Sequence, residues 1–102
     1  MTDKELLEHA AKAAKFDFVP SKDGGIGWIG GILHKPWNPL RDDGDALRLA
    51  VKMKMDIVIG QSVKVVCVIN DHNVSRVILP LDEDPYATTR RAIVMAAAGI
   101  EG

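Results

Sequence analysis

Three carboxylates fall within four positions at Asp42, Asp43 and Asp45. Oxygen ligands crowded this closely suit a hard divalent cation such as Mg²⁺ or Ca²⁺. An EF-hand loop would continue to a glutamate at its twelfth position, and none follows here. The same acids stand where a helix is about to begin, and a helix N-terminus favours negative charge with or without a metal. Metal-assisted hydrolysis would also need an acid–base partner, which no nearby residue supplies.

A second pattern, Gly25-Ile26-Gly27-Trp28-Ile29-Gly30, is a literal G-x-G-x-x-G. In a dinucleotide site these glycines join a buried strand to the helix whose N-terminus holds the pyrophosphate. Here the preceding VPSKDG is polar and broken by proline, and the following ILHKPWNP cannot start a helix. The glycines therefore read as turn and kinked-strand residues. His9, His34 and His72 are far apart and lack ligand spacing. Arg90-Arg91, with Lys64, is the one basic cluster that could meet phosphate, and two arginines make a small patch. No Ser-His-Asp or Cys-His arrangement is legible. Cys67, the single cysteine, lies within VKVVCVI and reads as a small hydrophobe of a core strand. The expectation is a chain without catalytic residues, metal or cofactor.

The elements that must carry these residues follow from pattern and punctuation. Thr2 and Glu5 form a capping box that opens a helix over 2–15, with Leu6, Leu7, Ala10, Ala13 and Ala14 as its apolar stripe. FDFVPSKDGG breaks it, and 27–33 reads as a weak, glycine-rich strand. A second helix starts at Asp42 or Asp43 and runs to about Met53, with Ala46, Leu47, Ala50, Val51 and Met53 facing inward. Residues 56–60, 62–70 and 75–80 are short Val/Ile-rich runs bounded by turn residues, which predicts an antiparallel meander. The middle run is so continuously apolar that both its faces are expected to be covered. Asp84-Pro85 opens a last helix, with Tyr86, Arg90, Ile93, Val94 and Ala97 inward and Gly99 at its end. The order predicts an α+β domain: an αβα sandwich with three helices and a mainly antiparallel sheet of three to four strands.

Composition agrees with one folded domain spanning residues 1–102. The chain is 47% hydrophobic and 26% charged, which is ordinary for a globular core. Its net charge is −1, with seven basic and eight acidic residues in 1–51 and six of each in 52–102. That balance argues against a dedicated nucleic-acid binder, which usually shows a basic face. No apolar run approaches the ~20 residues of a membrane span, and the N-terminal MTDKELLEHAAKAAK has no secretion pattern. An intracellular chain that does not engage membrane is expected.

The segment Trp37-Asn38-Pro39-Leu40-Arg41-Asp42-Asp43-Gly44-Asp45-Ala46-Leu47-Arg48-Leu49-Ala50-Val51-Lys52 resembles the hallmark of a family of small phage and prophage proteins, the phage αβα-sandwich domain. Asp84 to Ile93 is similar to that family's closing helix, and Glu5-Leu6-Leu7-Glu8 to its opening one. The resemblance touches most of the chain, but only the tryptophan-to-lysine stretch is distinctive. Its glycine-rich approach and Met53-Lys54-Met55 depart from the family pattern. The resemblance implies a phage-derived chain, an αβα layering and residence in the cytoplasm of the bacterial host, and it brings no activity or catalytic residue. On physical grounds the segment has two accounts. Pro39, the aspartates and Gly44 make a turn and cap, with Trp37 and Leu40 packed over the helix start as a hydrophobic staple. Alternatively Trp37, Leu40, Asp43 and Asp45 form a binding surface, since tryptophan is enriched at hot spots. The expected function is a small non-catalytic module that binds a protein partner and can form a homodimer. Nucleic-acid association through Arg90, Arg91 and Lys64 is the first alternative, and a divalent-metal site at Asp42, Asp43 and Asp45 the second.

Overall fold

A computed structural model describes residues 1–20, 26–29, 37–60, 62–71 and 74–100, with only the backbone described at 20 and 27–29. The elements are α1 (Asp3–Ala13), β1 (Phe18–Pro20), β2 (Ile26–Ile29), α2 (Asp43–Lys52), β3 (Asp56–Gly60), β4 (Val65–Asn70), β5 (Ser75–Pro80) and α3 (Pro85–Ala97). The protein is therefore α+β, with three helices among the described residues and the expected three-stranded antiparallel meander.

Each helix starts where its capping oxygen stands. Thr2, Asp42 and Asp84 accept from the backbone N–H groups of Glu5, Asp45 and Ala87, three residues on. At α1 the Thr2 hydroxyl also donates to the Glu5 carboxylate at 3.1 Å. The helix ends share a second device. Residues 15, 54 and 99 take positive φ, and the next residues, Phe16, Met55 and Ile100, donate back to Ala11, Ala50 and Met95. These are Schellman closures, and they turn Phe16, Met55 and Ile100 onto the core.

In the sheet β4 is central, with Val58 beside Cys67 and Cys67 beside Ile78. Val66, Val68 and Val77 are fully buried beneath α3, and α1 and α2 pack on α3 in turn. The Asn70 amide and the Ser75 hydroxyl both donate to the Ala96 carbonyl, at 3.1 and 2.7 Å. They share with the backbone of the helix exit an acceptor in the last turn of α3, and they pin the helix end to the β4–β5 hairpin. β1 and β2 form a separate antiparallel pair beside α1. Trp37 adds one bridge to it, its N–H donating to the Ile26 carbonyl at 3.1 Å. Among the described residues no helix is long and apolar enough to cross a membrane.

Several expectations need correction. Residues 18–20 form β1, although Pro20 and the glycines after it suggested only a break. Of the glycine pattern, Gly27 lies in β2, while Gly25, Gly30 and the expected strand residues 30–33 lie outside the described residues, as do His34 and His72. β4 is covered on one face, not two: Val66, Val68 and Asn70 are buried, while Val65, Cys67 and Ile69 are half-buried. Cys67 thus belongs to the face turned away from the core. Ala13, Leu47, Val51 and Tyr86, expected to face inward, are exposed. The true stripe of α2 is Asp45, Ala46, Leu49 and Ala50.

Candidate functional site

The chain from Trp37 to Arg48 folds back on itself. Trp37 is only 3% exposed and meets Phe16 edge to face, with ring centroids 5.8 Å apart. Asn38 then starts a turn: its side-chain oxygen accepts from Leu40 N–H at 3.1 Å, and its carbonyl accepts from Arg41 and Asp42. Pro39 is fully buried and Leu40 half-buried. This loop sits over the start of α2, which is how a staple closes a helix entry.

The aspartates divide three tasks. Asp42 caps α2, accepting from Asp45 N–H at 2.8 Å. Asp45 is 2% exposed, and it accepts from Asn38 N–H at 2.9 Å and from Arg48 at 2.7 Å. Arg48 also lies 3.7 Å from Asp42. Its guanidinium passes over Gly44, where a Cβ would come within 3.2 Å of both Arg48 and Asp42. Glycine at this position leaves room for the clamp. Asp43, largely exposed, points away and pairs with Arg90 at 2.7 Å.

The carboxylates therefore do not converge. Among the described residues no group of three His, Cys, Asp or Glu side chains is placed to hold a metal ion. The two arginines are also engaged. Arg90 donates to the Leu40 carbonyl at 2.9 Å as well as to Asp43, and Arg91 pairs with Asp3 at 2.9 Å. They tie α3 to the α2 turn and to the start of α1. Of the four residues proposed as one surface, Trp37 and Asp45 are in the interior, Leu40 is half-covered and only Asp43 is exposed. The segment is a structural clamp, because its tryptophan fills core volume and its buried acid holds the turn closed.

An apolar surface lies next to this clamp. Between α2, β3 and α3 runs a groove of about 550 Å³. Ala46, Ile57 and Ile93 form its depth, and Leu47, Ile59 and Tyr86 its exposed walls. Tyr86 is 69% and Leu47 61% exposed, unusual for large apolar side chains that flank one another. The Asp43–Arg90 pair closes one end. β3 pairs with β4 along one side only, so among the described strands its other edge is free beside the groove. Sequence reasoning missed these residues because α2 carries Ala46, Leu47, Leu49, Ala50 and Val51 almost in succession. So broad an apolar arc does not say which of its sides is left outside. Comparisons with protein-family models, with curated proteins and with solved structures found no match.

Proposed function

We propose that this chain is a small, non-catalytic interaction module, of phage or prophage derivation and acting in the bacterial cytoplasm. It captures an extended apolar segment of a partner protein along β3. The observation carrying this reading is the juxtaposition of a strand edge, unpaired among the described strands, with an apolar groove on the same side. An added strand gains main-chain hydrogen bonds from such an edge, and every second side chain turns toward one face. Those side chains enter between Leu47, Ile59 and Tyr86. The polar groups at the groove's end, Asp43 and Arg90, are bound to each other, so a small polar ligand would find few free donors there.

The test is capture from nuclease-treated host lysate, followed by calorimetric titration with the purified partner. Leu47→Asp and Tyr86→Ala alter exposed side chains and leave the core intact. Each is expected to weaken binding at least ~10-fold, as hot-spot truncations do. Capture that nuclease abolishes, or a partner indifferent to both substitutions, would overturn the proposal.

A further inference from the structure

The face of the sheet opposite α3 carries a different pattern. Reading across β3, β4 and β5, its rows are Asp56–Ile69–Arg76, Val58–Cys67–Ile78 and Gly60–Val65–Pro80. Val58 is 58% and Ile78 44% exposed, and Val65, Cys67 and Ile69 are half-covered by their neighbours. The middle of the face is thus apolar. Its first row ends in an acid on one edge strand and a base on the other, roughly 10 Å apart at the spacing of strands. Among the described residues neither Asp56 nor Arg76 has an ion-pair partner.

We propose that this face binds a second copy of the chain, with a two-fold axis running along β4 between the stacked sheets. Rotation about that axis exchanges the edge strands and keeps the rows level. Asp56 then lies over the partner's Arg76 and Arg76 over the partner's Asp56, giving two reciprocal ion pairs. Val58 lies over the partner's Ile78, and Cys67 and Ile69 meet their own counterparts on the axis. An axis running across the strands would instead set Asp56 on Gly60 and Arg76 on Pro80, leaving all four charges unmatched. The charge pattern therefore selects both the occupant and the operator, and the aligned stacking is the ordinary one for two sheets.

The footprint sets the strength. Three strands about 4.8 Å apart and roughly 20 Å long cover about 300 Å² per copy, well below the ~800 Å² of a standard interface. The dimer is therefore weak and reversible, forming at about 0.1–1 mM chain. It leaves both grooves facing outward, so this inference does not depend on what the groove binds.

Sedimentation from about 10 µM to about 1 mM tests it, with circular dichroism confirming that each variant folds. Wild type is expected to move from 11.1 kDa toward twice that mass. Asp56→Arg and Arg76→Asp each weaken association about tenfold, and the double reversal returns it to within about threefold of wild type. Labelling of Cys67 by a thiol reagent slows in step with dimerisation. A wild type that stays monomeric throughout overturns the proposal. So does a dimer indifferent to the single reversals, one not restored by the double, or one in which Cys67 labels at an unchanged rate.

Discussion

Two aspartates two positions apart do opposite kinds of work. Asp43 is mostly exposed and its ion pair is open to solvent on that side, so Asp43→Ala is expected to cost less than ~1 kcal/mol. Asp45 is buried and accepts both from the turn backbone and from Arg48. Asp45→Ala strands those donors and is expected to cost about 3 kcal/mol, with the midpoint of urea unfolding as the measure. Equal losses in the two variants would show that the clamp is not held from inside. The cap at Asp42 was legible, because an acid before an apolar-periodic run is a helix start whatever surrounds it. The burial of Asp45 was not. It arises only when Trp37 enters the core and carries Asn38 over the helix entry, and neither event leaves a trace in the spacing of acids.

At the scale of the element, helix starts and ends were both readable to within about two residues, but the closing geometry of the ends was not. Ser, Thr and Asp caps announce themselves, whereas two of the three helix exits here place lysine where glycine is usual. Lys15 and Lys54 adopt φ of 61° and 54°, and only the third exit uses glycine, Gly99 at 81°. A side chain in the left-handed region costs roughly 1–2 kcal/mol, partly offset by glycine's greater freedom in the unfolded chain. Lys54→Gly is therefore expected to raise stability by about 0.5–1 kcal/mol, and Gly99→Ala to lower it by a similar amount, both read from urea melts. A Lys54→Gly variant no more stable than wild type would mean that its side chain contributes as much as its backbone costs. Strand limits were read unevenly: the run 62–70 begins three residues before β4. The runs 56–60 and 75–80 match β3 and β5, since Val/Ile density and flanking turn residues both mark a strand. β1 escaped because three residues ending in proline carry too little pattern to separate from a loop.

For the whole molecule the decisive feature is which faces the fold leaves open. Hydropathy predicted a sheet with both faces covered, yet α3 lies on one, and the row Val58–Cys67–Ile78 remains accessible on the other. A continuous apolar run reports that both faces avoid water without saying whether this chain or another supplies the cover. The dimer proposed above removes that discrepancy, because the second apolar face then has its cover in the partner. It also makes stability depend on concentration, since association draws on the native state alone. With a dissociation constant of about 0.3 mM, native chains at ~1 mM gain roughly 0.5–1 kcal/mol, which raises the melting temperature by about 2–4 °C relative to ~10 µM for a domain of this size. Calorimetry of wild type at the two concentrations measures that rise, and Asp56→Arg is expected to show less than half of it. A wild type that melts at the same temperature at both concentrations would show that the open face is a property of the monomer. The apolar row would then be exposed surface, and the groove beside β3 would stand as the proposed binding surface by itself.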